Sequence, residues 1–359
     1  MSNSLETAHG SADESLPSAV PRSGEPLKLS GVLDHYEYLD ITPAIGREFP
    51  NADLKEWLEA PNSDELLRDL AIMISQRGVV FFRQQNAISH ADQKELVLRL
   101  GRLSWNFDTP KTSGLHIHPL NHSWPLSGDD DEISVISSEE QKHSSVHSPF
   151  MKRQNHAATW HNDIPFEPVS SDYALLRLTD LPRIGGDTLW ASGYEVYDRL
   201  STPIQKLLES LTATFALPVS EEVAKTKVYS RQRGAPENVG IELMATHPVI
   251  RTNPVTGWKS VYAAGTHAKI INGLTEEESE HFLKWFTRLI VDNHDLQVRH
   301  RWQYPNDIAI WDNRSVYHTP TFDLDGDGLR RGVRAVSLGE KPYFDPKSVS
   351  RGDSLSKQV

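Results

Sequence analysis

Cysteine is absent from all 359 residues. That excludes a disulfide scaffold, a thiolate nucleophile and any zinc or iron–sulfur centre held by sulfur. A metal, if one is bound, has to rest on histidine and carboxylate. No apolar run approaches ~18 residues, so no membrane-spanning helix is expected. The opening stretch "MSNSLETAHGSADESLPSAVPRSGEP" carries no apolar segment of the kind a secretory signal needs. Basic residues are outnumbered, 37 against 49 acids, for a net charge of −12. A nucleic-acid binder needs a basic face or stripe, so that class is set aside. Much of the acidic excess is local, in "SGDDDE" (Ser127 to Glu132) and the two tails, and reads as solvated loops. The expectation is a cytoplasmic protein that binds neither nucleic acid nor membrane.

The composition that remains, 38% hydrophobic and 24% charged, is that of a globular chain. Residues 1–28 are rich in Ser, Glu and Pro and read as a disordered tail. Residues 347–359 read as a flexible C-terminal tail, which leaves 29–346 as a single domain. Three helices are signalled within it. "NSDELLRDLAIMISQRG" opens at Asn62 or Ser63 and stops at Gly78, and "SHADQKELVLRLG" opens at Ser89 and stops at Gly101. "TEEESEHFLKWFTRLIVDN" pairs Thr275 with Glu278 as a capping box. Its Phe282, Trp285, Phe286 and Leu289 form an apolar stripe suited to core packing. "VVFFR", "EISVISS", "YALLRL", "DTLWAS", "HPVIRT", "SVYAA", "DIAIWDN" and "RGVRAVSLG" read as short strands, most of them parted by turn residues. The fold class expected is mainly β with flanking helices.

Chemistry concentrates in "TWHNDIPFEP" (Thr159 to Pro168). If this stretch is extended, His161 and Asp163 share a face and stand only ~6.6 Å apart along the chain, close enough to reach one ion. Farther on, "DIAIWDNRSVYH" runs a buried strand into His318. Two histidines and one carboxylate can occupy one face of a metal and leave the other positions open. In "LRRGVRAVSLGEKP", Arg330 and Arg334 lie four apart on one strand, and two planar guanidinium forks suit carboxylate binding. Thr188, in "GGDTLWAS", offers a hydroxyl after a Gly-Gly turn.

Together, "WHNDIPFEP", "YALLRL", "GGDTLWASGYEVYDRLS", "QVRHRWQYPNDIAIWDNRSVYH" and "RRGVRAVSLGEKP" resemble the taurine/sulfonate dioxygenase (TauD/TfdA-type) family over about Val79 to Phe344. The resemblance implies a double-stranded β-helix (jelly-roll) core and an oxygenase that uses Fe(II), 2-oxoglutarate and O2. It implies His161, Asp163 and His318 as iron ligands, and Arg330 with Thr188 on the distal carboxylate of 2-oxoglutarate. Arg334 matches the family's second arginine, near cosubstrate and substrate. "LHIHPL" resembles the loop lining the substrate pocket, with His118 at the matching position and Asn121 close by. Trp160, Phe166, Trp190 and Trp311 are candidates to wall that pocket. His116, His122, His143, His147 and His156 are expected in loops or the pocket. The substrate implied is a small anionic or zwitterionic molecule, and the assembly a dimer or tetramer. Departures fall on the substrate side: "VYAAG" stands where taurine-type members read close to "LFVN", and Asn121 replaces an aromatic. Two other readings of the residues stay open, a zinc-dependent hydrolase built on the same His/Asp/His set and a binding barrel without chemistry.

Overall fold

Local signals account for the first layer. The computed structural model describes residues 24–120, 130–139, 156–321, 323 and 328–357. Strands β1 (Leu39–Asp40) and β2 (Arg47–Phe49) lead into helix α1 (Leu54–Glu59), whose first N–H groups are capped by the Asp53 carboxylate. Helix α2 (Ser63–Arg77) ends at Gly78, which takes φ 75°. Strand β3 (Val79–Phe82) follows directly. Helix α3 (His90–Leu103) opens on a reciprocal capping box between Ser89 and Asp92.

The stop expected at Gly101 is corrected here, since α3 continues to Leu103. Gly101 is instead a point of close approach. A Cβ there would run into the Lys111 ammonium and the Asp172 carboxylate, which form a buried ion pair of 2.8 Å. The glycine is therefore a packing requirement rather than a cap.

Strands β4 (Ser134–Ser137), β5 (Ser171–Asp180) and β6 (Thr188–Ser192) come next, then α4 (Gly193–Asp198), α5 (Thr202–Glu209), β7 (Thr212–Ala216) and α6 (Glu221–Thr226). The expected strand "HPVIRT" is two: β8 (Met244–Pro248) and β9 (Ile250–Thr252), broken where the Val249 N–H bonds the Leu211 carbonyl. Strand β10 (Lys259–Val261) is shorter than "SVYAA" suggests. Strand β11 (Ala268–Ile271) precedes helix α7 (Glu276–Asp292), whose Thr275–Glu278 capping box is present. Strands β12 (Gln297–His300), β13 (Ile308–Asp312), β14 (Val316–Pro320) and β15 (Arg331–Leu338) complete the sheets. A final helix, α8 (Arg351–Ser356), is tied to Glu195 by Arg351 at 2.7 Å, so packed structure extends into the stretch expected as a flexible tail.

The main sheet has seven strands in the order β1-β2-β3-β13-β5-β15-β4, antiparallel except for β2 beside β3. Alternate residues of its central strands go to opposite faces. Val80, Phe82, Leu175, Ile308, Ile310 and Ala335 pack on α2 and α3. Phe81, Leu176, Leu178, Ala309, Trp311 and Val336 pack instead with Trp190, Val298 and Val316 of a second sheet, ordered β12-β6-β14. Both faces are buried, which is why these strands read as near-continuous apolar runs. Each such Leu, Ile or Phe contributes about 1.5–3 kcal/mol by leaving water. Phe286 and Ile290 of α7 build a third core with Phe215, Tyr262 and Ile271. No helix among the described residues is long and apolar enough to cross a membrane.

Candidate metal centre

His161 and His318 sit opposite each other in an isolated antiparallel bridge. The His161 N–H bonds the His318 carbonyl at 3.1 Å, and the His318 N–H bonds the His161 carbonyl at 2.8 Å. Directly opposed residues in such a pair project to the same side. A hydroxyl contact of 2.8 Å between Thr159 and Thr319 fastens the segments beside the bridge. Asp163 follows two residues later, and Ile164 then turns the chain away with φ 51°. One ligand atom from each of His161, Asp163 and His318 lies within 4.8 Å of the others. The face shared by His161 and Asp163 is thus the one expected from their spacing.

The surrounding bonds orient each ligand. His161 Nδ1 lies 2.8 Å from the Thr159 carbonyl, which makes Nδ1 the protonated nitrogen and leaves Nε2 with its lone pair for a metal. The Asp163 N–H donates to Asn313 Oδ1 at 3.0 Å, and the Trp311 indole donates to the same oxygen at 3.0 Å. Asn313 in turn donates to the Ser171 hydroxyl at 2.9 Å. The "WDN" of the β13 turn therefore braces the carboxylate ligand.

Burial opposes charge on Asp163, yet the Arg334 guanidinium and then the two imidazoles hold its carboxyl well below the usual range. Burial pushes His318 far down and His161 down as well, so both stay neutral with a lone pair to offer. Asp163 Oδ2 and His318 Nδ1 are buried without a partner among the described residues. A buried, unpartnered carboxylate oxygen beside two neutral imidazoles fits a divalent cation, which would satisfy groups otherwise costly to bury.

A second subsite lies one strand step away. In the register of β6 and β14, His318 faces Trp190 and Pro320 faces Thr188. Thr188 therefore shares a face with His318 at a diagonal reach of about 7–8 Å. Arg330, 4% exposed, donates through Nε to the Gly186 carbonyl at 2.8 Å and through Nη2 to Thr188 Oγ1 at 3.1 Å. Arg330 has no carboxylate partner among the described residues, and burial lowers it to about 10. The nearest acid influence, Asp187, is itself paired with Arg299 at 2.6 Å. A buried cation without a counter-ion, aimed with a hydroxyl at one place, suits a ligand carboxylate. The Trp302 indole also donates to Thr188 Oγ1, at 3.1 Å. Nothing in the sequence singled out Trp302, since an aromatic just beyond β12 reads as core.

Arg334 is not placed beside Arg330. Its Nη1 pairs with Asp163 Oδ1 at 2.5 Å, while its Nε is buried without a partner among the described residues. The register shift between Arg331 and Gly332 leaves the extra residue, Thr179, on β5, so β15 keeps its alternation. Gly332 and Val336 face the Leu176–Leu178 side and Val333 and Ala335 the other, as the spacing of the two arginines predicts. His118 is half-buried near this group; burial, then Arg334 and His116, hold its imidazole far below its ordinary value. His116 meets Glu167 at 3.2 Å, and Glu167 is gripped by the fully buried Arg233 at 2.5 and 2.8 Å. Phe166 stands 5.3 Å, ring to ring, from His267. Trp160 packs in the α7-side core with Tyr262 and Tyr317. Trp190 and Trp311 pack edge to face at 5.8 Å, and Trp311 lies 4.9 Å from the His318 ring. His156 caps the short turn leading to Trp160. Asn121, His122, His143 and His147 lie outside the described residues.

His267 was not foreseen. Its ring is 6.2 Å from His161, its Nδ1 is buried without a partner among the described residues, and burial lowers it to about 4. Its only sequence signal was a polar residue closing "VYAAGTH".

A family model described as taurine catabolism dioxygenase TauD, TfdA family matches residues 37–336. The alpha-ketoglutarate-dependent dioxygenase btcD of Neocamarosporium betae is 54% identical over 342 residues, covering 92% of this chain and 98% of that protein. The alpha-ketoglutarate-dependent dioxygenase oryG of Aspergillus oryzae is 48% identical over 92% of this chain and 96% of its own length. Among solved structures, a taurine dioxygenase from Burkholderia xenovorans superposes with a TM-score of 0.64 at 22% identity, covering 87% of this chain and 93% of that one.

Proposed function

The chain belongs to the TauD, TfdA family of alpha-ketoglutarate-dependent dioxygenases, and from that premise we propose how its own residues divide the work. His161, Asp163 and His318 would hold Fe(II). Arg330 and Thr188 hold the distal carboxylate of 2-oxoglutarate. When bound, the iron supplies dioxygen activation coupled to decarboxylation of 2-oxoglutarate to succinate and carbon dioxide, and thereby oxidation of a substrate C–H bond.

The residues bind, orient and exclude water. The Thr159 carbonyl keeps His161 in the tautomer that presents Nε2. Asp163 brings the one negative charge to a centre otherwise built from neutral donors, and Arg334 holds its Oδ1. Asn313 fixes the backbone beneath it. Trp190 and Trp311 close the side toward the main sheet, keeping bulk water from the reacting volume.

The observation that carries this reading is Arg330, a buried cation without a counter-ion among the described residues, bonded to Thr188, which lies one diagonal strand step from the ligand His318. A zinc hydrolase has no use for that subsite, and nothing observed favours it. The two sheets that share one apolar core support a double-stranded β-helix as the fold. The substrate proposed is a small anionic or zwitterionic molecule such as a sulfonate, carboxylic acid or amino acid, met by His118, Phe166 and Arg334. A cytoplasmic dimer or tetramer belongs to the same proposal. The test is succinate release that requires Fe(II), 2-oxoglutarate and oxygen together and rises with the true member of a panel of sulfonates, aryloxyacids and amino acids. Turnover without oxygen and 2-oxoglutarate would instead support hydrolysis.

A further inference from the structure

We infer that Trp302 is a positioning residue for the cosubstrate's distal carboxylate, acting by fixing the direction of one hydrogen, that of the Thr188 hydroxyl. The inference rests on the Arg330–Thr188 reading above.

A threonine hydroxyl has two acceptor lone pairs and one hydrogen that rotates to suit its surroundings. Thr188 Oγ1 receives the Trp302 indole N–H at 3.1 Å and an Arg330 guanidinium N–H at 3.1 Å. Thr188, Trp302 and Arg330 are 3%, 7% and 4% exposed, so water does not compete for these bonds. With both lone pairs occupied, the hydrogen has one staggered direction left. No acceptor for it is found among the described residues, so it is held as a donor for whatever enters.

Among the described residues, Arg330 and Thr188 thus both present donors to the subsite. Arg330 brings charge, and Thr188 brings a hydroxyl that is unable to accept. An ammonium or a donor hydroxyl entering there would find no lone pair, whereas a carboxylate oxygen would complete the set. Trp302 itself is held in place, its ring 4.9 Å from His300 at 89° and 6.5 Å from Trp190. Its N–H is buried, so Thr188 also removes the cost of leaving that donor unmet.

Trp302→Phe deletes the N–H and keeps an aromatic ring. It frees one lone pair, lets the hydroxyl hydrogen adopt a second direction and removes the polarisation supplied by the indole. The test is equilibrium binding of 2-oxoglutarate to the Fe(II)-loaded protein without oxygen, followed by calorimetry. Trp302→Phe is expected to weaken 2-oxoglutarate by about three- to tenfold. It should leave 2-oxopentanoate, the same chain ending in methyl, unchanged. In a Thr188→Val background the same substitution should add nothing. Benzothienylalanine at position 302, which replaces the N–H by sulfur in a ring of the same shape, should reproduce the loss and serves if the Phe variant does not fold.

Unchanged 2-oxoglutarate binding in these variants, equal weakening of 2-oxopentanoate, or equal weakening with and without the Thr188 hydroxyl would each overturn the inference in favour of simple packing. A separate outcome concerns the reading beneath it. If neither Arg330→Ala nor Thr188→Val weakens 2-oxoglutarate, the carboxylate subsite itself is misplaced, whatever Trp302→Phe does.

Discussion

His161 and His318 exchange both backbone hydrogen bonds across an antiparallel bridge, so two imidazoles 157 positions apart in the chain are held side by side by the main chain itself. Their rings lie 4.2 Å apart, centroid to centroid. Their spacing is thus set by strand pairing rather than by side-chain packing, and Asp163 completes the set from the same segment.

The carboxylate ligand should matter to the protein even without metal. Asp163→Asn leaves Arg334, 12% exposed at its side chain, without its partner. Removing one member of such a buried pair typically costs about 3–5 kcal/mol. The expected outcome is a clear drop in the urea midpoint of the metal-free variant together with loss of Fe(II) binding by calorimetry. Metal loss at unchanged stability would show that the Arg334 pair contributes nothing to folding.

Arg330 should behave in the opposite sense. Its charge is buried without a counter-ion among the described residues, so the ligand-free protein gains little from it. Arg330→Met is expected to leave the melting temperature of the ligand-free protein unchanged or raised. The same variant should weaken 2-oxoglutarate by about thirtyfold or more, since a desolvated charge pair costs about 2–5 kcal/mol to break. A variant that melts much lower while keeping its affinity would reverse the assignment.

Acid should destabilise the protein well above the carboxylate range. Burial, with the Arg251 charge, lowers His247 to about 3; burial, with Arg83, holds His300 well below its ordinary value. Both are therefore neutral in the folded chain and protonate in the unfolded chain near 6.5. The unfolded state then binds more protons below that pH, so stability present above 6.5 is lost as pH falls toward the folded values. Each group adds a slope of about 1.4 kcal/mol per pH unit in that window. Urea midpoints at pH 7.5, 6.5, 5.5 and 4.5 should fall progressively below 6.5. A flat profile down to 4.5 would mean that these imidazoles reach water.

Gly101 separates helix propensity from packing. Inside a helix, Gly→Ala ordinarily stabilises by about 0.5–1 kcal/mol. Here the added methyl meets the buried Lys111–Asp172 pair, so Gly101→Ala is expected to lower the thermal midpoint. A rise would show that the pair yields at no cost.

The parts of the fold legible from sequence were those specified locally. Gly78, the Ser89 cap and the Thr275–Glu278 box act within one helical turn, and all three are present. Strands buried on both faces, such as Val79–Phe82 and Ile308–Asp312, announced themselves as apolar runs. Short elements such as Gly193–Asp198 and Gln297–His300 escaped notice because they depend on partners far along the chain. The same divide runs through the site. His161, Asp163 and His318 were legible because the His-x-Asp spacing coincided with sequence blocks that resemble the TauD/TfdA family. The Arg334–Asp163 pair, the Trp302–Thr188 bond and His267 were not, because each arises from segments brought together only by folding.

The most direct measurement is the visible absorbance of the protein when Fe(II) and then 2-oxoglutarate are added without oxygen. Expected is a weak metal-to-ligand charge-transfer band that grows with 2-oxoglutarate, is lost in His318→Ala and needs far more ligand in Arg330→Met. Absence of any band from the intact protein that has bound both, or a band indifferent to His318 and Arg330, would contradict the ligand set and the carboxylate subsite together.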